Sequence, residues 1–346
     1  FITCNDCQQY FSESVDLGFE RGLKPIRNLL GTRGGRKGEA SPLKRVSTSA
    51  GETVDLAPGL KPSLSEPEVT ITPRSDGRHD VNIRMSRPDQ LGWALAKVRK
   101  ELSHANVDEA MARAIMHTSV GFLAGRIILN LNVGGLEFFR GVVKASFNLL
   151  AAHADDGPAI ALLPQFDSVR AFVRHGTGTM SDFVRWATSP NYVHGPLLGP
   201  IDHVVGIQSR EGLEGFVQVY GHIVIPVCLC NASTPRPVSY AYFVDPYRDS
   251  NPAERRVSGI DPEMVPHFGK ESLQNNSVVQ SVFVSRLQRI IEHFYDKACN
   301  EIIASTVEEI LNPRMGEPFT EEIASLLTSR LIEKLQPFLA RPDTED

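Results

Sequence analysis

The chain has 346 residues, of which 41% are hydrophobic and 22% charged, with a formal net charge of −5. That is ordinary globular composition, enough for two domains or one large domain with an appendage. Five cysteines at this length exclude a disulfide scaffold, no run approaches the about 20 apolar residues of a membrane helix, and the mildly acidic balance signals no nucleic-acid partner for the chain as a whole.

The chain opens with Cys4-Asn-Asp-Cys7. Phe11, Val15, Phe19, Leu23 and Ile26 then recur at helical steps, so residues 8–30 are expected to be helical, with Pro25 kinking or restarting the helix. Gly31-Thr-Arg-Gly-Gly-Arg-Lys-Gly38 cannot hold regular structure, and residues 39–66, rich in Ser, Pro, Gly and Thr, read as a linker. Residues 1–45 carry eight Lys/Arg against five Asp/Glu, while the remaining residues carry 28 against 36. The basic excess is therefore local.

Val69–Thr72 and Asp80–Met85 alternate around Pro-Arg-Ser-Asp-Gly, which predicts a hairpin. Helices are predicted over 88–104, 110–123, 137–153 and 166–175, the last closed by Gly176. Strands are predicted over 202–208, 216–230 and 238–244. A long helix over 277–311 stops at Pro313, and Thr320 caps a last helix before an acidic tail. Strands grouped between helices, without strict alternation, give an α+β class. The expected division is an opening module over 1–38, a linker over 39–66, an α+β domain over 67–312, and a final helix with its tail over 313–346.

Cys4 and Cys7 stand at a predicted helix start. Spacing of two lets both thiolates reach one tetrahedral ion, and a helix N-terminus lowers a thiol pKa. Two thiolates are half of a zinc site. A redox pair and two merely packed thiols are the competing readings. The run Cys4-Asn-Asp-Cys7-Gln8-Gln-Tyr-Phe11-Ser12-Glu-Ser-Val-Asp16 resembles the second half of an HNH endonuclease module, in the branch with a Cys-x-x-Cys pair before its last helix. The following Leu-Lys-Pro-Ile-Arg-Asn-Leu-Leu-Gly-Thr-Arg-Gly-Gly-Arg-Lys-Gly resembles that branch too. Looser likeness extends to Lys144–Ala151 and Asp167–Gly176. Gln8 replaces the family's Asn, and Ser12 its Gly.

The resemblance implies a truncated ββα-metal (treble-clef) remnant followed by a larger mixed α+β domain. It implies structural Zn2+ at Cys4 and Cys7, with the other two ligands upstream. Gln8 stands where an Asn orients the catalytic loop, and Asp16 matches an acidic position without an assigned role. It also implies DNA as partner and Mg2+ or another divalent ion for catalysis, the catalytic Glu-His lying before residue 1. The chain alone is then expected to be inactive, since losing a general base lowers the rate by about 10²–10⁴. Half a zinc site is expected to leave residues 1–20 poorly anchored.

Further candidates lie outside the motif. Arg33, Arg36 and Lys37 form a Gly-rich basic arm suited to phosphate, or a plain solvated loop. Arg170 and Arg174 are four apart and share a helix face that can clamp an anion, or carry surface ion pairs. Cys228 and Cys230 read as packed thiols, with a metal site including His222 as the alternative. The functional expectation is an HNH-type endonuclease or its C-terminal part, hydrolysing DNA phosphodiesters in a reducing, cytoplasmic setting. A non-catalytic zinc-stabilised nucleic-acid binder and a small-molecule or protein-interaction domain are the alternatives.

Overall fold

The computed structural model describes residues 5–32, 42–59, 61–102, 126–131, 133–185, 202–232, 234, 236–246, 257–259 and 276–339, with backbone alone at 5–7, 257–259, 276–280 and 336–339. The opening periodicity becomes two helices, α1 (Asn5–Glu13) and α2 (Val15–Leu30). They break at Ser14, not at Pro25. The amide and the hydroxyl of Ser14 both donate to the Tyr10 carbonyl, at 3.1 and 2.6 Å. A serine bonding back to the preceding turn competes with the helical ladder and bends it. Pro25 stays inside α2, where it removes one donor without ending the helix. Gly31 closes α2 at φ 63, its N–H donating to Asn28 O (3.1 Å) and that of Thr32 to Arg27 O (3.2 Å). This is the Schellman pair of reversed bonds, which needs a residue at positive φ.

The chain packs as two units, one of Leu17–Phe138 and one of Phe1–Asp16 with Phe139–Asp346. In the smaller unit, residues expected to be linker form a three-stranded antiparallel sheet, β1 (Leu43–Ser47), β2 (Thr53–Ala57) and β3 (Lys61–Leu64). Val54, Leu56 and Leu64 are buried in it, with Leu43, Val46, Ile127 and Leu129 packed against them. Burying each such side chain is worth about 2 kcal/mol, enough to hold strands this short. A bulge in β1 puts Arg45 at φ 55. Asp55 fixes that bulge, accepting from Lys44 Nζ (2.7 Å), Arg45 N (3.0 Å) and Ser65 Oγ (2.7 Å). Burial works to raise the Asp55 pKa, but these donors outweigh it and hold the carboxyl at about 2.

The predicted hairpin follows as β4 (Glu68–Pro73) and β5 (His79–Arg84), a two-stranded ribbon. A 3-10 turn at Pro88–Gln90 leads into α3 (Leu91–Glu101). Gln90 is buried and ties the two elements: its Nε2 donates to Leu64 O (2.8 Å), and its Oε1 accepts from Ser86 N (2.9 Å). The buried face of α3 is Ala94 and Val98, while Leu91 is exposed. The helix predicted over 110–123 lies outside the described residues.

The larger unit holds a five-stranded antiparallel sheet in the order β10-β9-β6-β7-β8: β6 (His203–Ser209), β7 (Leu213–Val219), β8 (Ile223–Cys230), β9 (Ser239–Val244) and β10 (Val257–Gly259). The single strand predicted over 216–230 is two strands folded on a hairpin. Tyr220 (φ 50) and Gly221 (φ 66) are both at positive φ, the geometry of a type I′ turn, whose twist suits paired strands. Tyr220 hides that turn in the sequence by looking like a strand residue. Its N–H donates to His203 Nδ1 (3.0 Å), and the Gly221 N–H donates to Asp202 O (2.9 Å).

Helix α4 (Leu136–His153) buries Val142, Val143, Leu149 and Leu150. Ser146 of α4 meets β7 at Gly215, where an added Cβ would stand 2.7 Å from Ser146 Cβ. Short helices α5 (Gly157–Ala161), α6 (Asp167–His175) and α7 (Met180–Phe183) follow. Phe172 and Phe183 stack at 4.4 Å, and Gly176 caps α6 as predicted, at φ 70 with its N–H on Phe172 O (2.8 Å). The chain ends in a helical hairpin of α8 (Asn276–Leu311) and α9 (Glu321–Leu339). Thr320 Oγ1 caps α9 by accepting from Ile323 N (3.3 Å), and Glu309 of α8 pairs with Lys334 (2.6 Å) and Arg330 (3.7 Å) of α9. The architecture is mixed α+β with small antiparallel sheets.

Candidate nucleic-acid interface and thiol pair

Cys4, Arg33, Arg36 and Lys37 lie outside the described residues. Helix α1 begins at Asn5, which puts the Cys7 backbone in its first turn. Gln8 is exposed one residue further on. Two thiols supply half of a tetrahedral set. Among the described residues no three His, Cys, Asp or Glu side chains gather closely enough to hold an ion.

Asp16 has a structural partner. It lies in the first turn of α2, where a carboxylate is favoured by the helix dipole, and its two oxygens accept from Lys144 Nζ at 2.7 and 2.8 Å. The same ammonium sits 4.6 Å from the Phe11 ring centroid. One turn earlier on α4, Arg140 is almost wholly buried. Its Nε and Nη2 donate to Val173 O (3.1 and 2.9 Å), and Nη2 also reaches Arg174 O (2.7 Å) and Tyr10 Oη (3.0 Å). Those carbonyls end α6, where the helix dipole favours a cation. Phe11 and Val15 are buried beside this bracket. The expectation of a poorly anchored start is therefore corrected for residues 8–16: Arg140 and Lys144 hold them by contacts that involve no metal. Arg140 and Lys144, two cations one turn apart in a largely apolar helix, were the sequence signal of this bracket.

Arg170 does not form a clamp with Arg174. Its guanidinium donates to the carbonyls of Ala161, Leu163 (3.2 Å) and Leu162 (3.5 Å) and to the Asp167 carboxylate, closing the turn between α5 and α6. Orphan carbonyls at a helix end need such donors. Arg174 is exposed.

Cys228 and His222 sit near opposite ends of β8, about 20 Å apart at 3.3 Å per residue, so the alternative metal set is not assembled. Cys228 borders a shallow depression with Arg185, Glu214, Gly215, Pro226 and Val227. Burial pushes its thiol pKa up; Arg185 opposes this, while Glu214, Cys230 and Asp182 add to it. That favours an inert thiol over a thiolate. Cys230 is buried, with its Sγ 3.1 Å from Ala232 O.

Charge divides between the units more sharply than the sequence reading anticipated. Leu17–Phe138 carries 18 Lys/Arg against 13 Asp/Glu, a balance of +5; the other unit carries 18 against 28, a balance of −10. The flanks of the basic arm are held by exposed or half-exposed pairs: Arg27 with Glu20 (3.0 Å), Lys44 with Asp55 (2.7 Å) and Arg45 with Glu66 (2.9 Å). The exposed Arg45–Glu66 pair is worth about 0–1 kcal/mol. No described helix is long and apolar enough to cross a membrane.

No protein-family profile, curated protein or solved structure matches this chain at a significant level.

Proposed function

We propose that this chain belongs to an HNH-type zinc endonuclease and that it binds DNA through the basic unit, Leu17–Phe138. The observation that carries the reading is the concentration of positive charge there, +5 against −10 elsewhere, around a Gly-rich arm that follows a Cys-x-x-Cys helix start. Neutralising phosphates and releasing counterions drives such binding without base contacts. Cys4 and Cys7 would hold structural zinc, which stabilises a fold and takes no part in the reaction. In this enzyme class a histidine activates water and a divalent ion stabilises the leaving oxygen. The matched run, residues 4–38, contains no histidine.

A second reading, a non-catalytic nucleic-acid-binding protein, is favoured by the bracket of Arg140 and Lys144, which builds the opening helix into the larger unit instead of a separable catalytic module. Incubating the full chain with duplex DNA, with and without Mg2+, separates the two. Cleavage that needs Mg2+ supports the nuclease outright; where the chain only shifts the DNA, zinc retained by it and lost in Cys7→Ser supports the HNH module, and a shift without bound zinc supports the plain binder. Failure to retain either DNA or zinc defeats both.

A further inference from the structure

We propose that Trp93 on α3, flanked by Lys97 and Lys100, is a stacking platform for an unpaired base of a DNA strand. The platform rests on the reading that the basic unit binds DNA, and it names what one face of that unit receives. Steps of four and three put residues 93, 97 and 100 on one stripe of α3. The buried stripe, Ala94 and Val98, lies about 100° round the helix from it. The Trp93 stripe is thus a separate side of α3 from the one that packs.

Trp93 is 46% exposed. A single exposed apolar residue is ordinary on a protein surface, but this one is braced. Lys97 Nζ lies over the indole, 5.5 Å from its centroid. The same ammonium donates to Pro67 O (3.1 Å) and stands 3.6 Å from Glu66 Oε2. These contacts tie the lysine to the residues just before β4, so that the cation holds the ring in place from one side. An ordered ring that stays open receives a flat partner with little further loss of side-chain freedom.

Charge selects that partner. Helix α3 carries Lys97, Arg99 and Lys100 against Glu101, in the unit whose balance is +5. Arg99 has an interaction inside the chain, and Lys100 is exposed. An aromatic ring edged by cations fits a polyanion that also offers flat π faces, which describes a strand with unpaired bases. The base stacks on the indole, and its neighbouring phosphates lie against the ammonium groups. Bases within a duplex are stacked on one another and do not reach the ring. The platform therefore favours unpaired over paired DNA, which the net charge of the unit alone does not.

The full chain is titrated with a labelled single strand of about 20 nucleotides and with a duplex of the same sequence, at one salt concentration. Trp93→Ala changes an exposed residue; it is expected to weaken single-strand binding about tenfold and to leave duplex affinity within about twofold. Trp93→Phe, which keeps a ring, should retain most of the single-strand affinity. The strand should also quench tryptophan fluorescence saturably in the wild type and less in Trp93→Phe. Single-strand affinity unchanged in Trp93→Ala, a loss equal on strand and duplex, or quenching unchanged in Trp93→Phe overturns the platform and leaves the DNA reading standing. Absence of binding to both forms defeats the DNA reading and the platform with it.

Discussion

Protonation of His203 should destabilise the larger unit in acid. Its Nδ1 accepts the Tyr220 N–H of the type I′ turn at 3.0 Å, and its ring packs edge-on to Tyr220 at 4.6 Å. Burial lowers its pKa from 6.5 to about 4, against a smaller opposing effect of Asp245. Above pH 6.5 the ring is neutral in both the folded and the unfolded chain, so it contributes no pH dependence. Between 6.5 and 4 the unfolded chain binds the proton and the folded chain does not, and stability falls as pH falls. Each pH unit is worth about 1.4 kcal/mol, so the full window amounts to about 3 kcal/mol, an upper figure because part of the residue meets water. Urea unfolding of wild type and His203→Asn is measured from pH 7.5 to 3.5. Asparagine keeps an acceptor near the Nδ1 position and does not titrate. The wild-type stability should drop more than that of the variant across the window, by at most about 3 kcal/mol. A stability difference between the two that stays constant with pH would refute the reasoning.

Gly206→Ala should lower stability by about 3 kcal/mol or prevent folding, because its Cβ would stand 2.1 Å from the Phe216 ring; a change under about 0.5 kcal/mol in urea unfolding contradicts this packing. Ser146→Ala should raise stability by about 1 kcal/mol, since the Ser146 hydroxyl is buried and has no hydrogen-bond partner among the described residues; a loss of similar size would show that it is satisfied. Arg140→Met should cost about 3 kcal/mol by leaving the Val173 and Arg174 carbonyls unsatisfied, and should speed amide hydrogen exchange in α1; unchanged exchange in α1 contradicts the bracket. Arg170→Ala should disturb the turn between α5 and α6 and leave DNA affinity within about twofold; a larger loss of affinity would return it to the phosphate-binding set.

Long, strongly periodic segments were legible from the sequence. The helix at 136–153 follows from its apolar steps, the Gly176 cap from turn chemistry, and the end of the 276–311 helix from Pro313. Short strands were less so. The sheet of β1, β2 and β3 uses strands of four or five residues in a stretch whose Ser, Pro and Gly content reads as linker, and only the Val54/Leu56 alternation points to it. The β7–β8 hairpin was concealed because its turn begins with Tyr220, a strand former forced to positive φ and held there by His203. Among the candidate site residues, Arg170 and Asp16 carry the right chemistry for ligands but answer to nearer partners, the carbonyls ending α5 and the Lys144 ammonium. Such pairings are tertiary, and residue spacing alone does not encode them.

Binding of a labelled DNA duplex by the full chain across a salt series tests the central claim most directly. If the basic arm contacts phosphates, log affinity falls linearly with log salt at about 0.9 per phosphate neutralised, and replacing Arg33, Arg36 and Lys37 together by alanine reduces that slope by about 3. Absence of binding at low salt, or a slope unchanged in the triple variant, would contradict it.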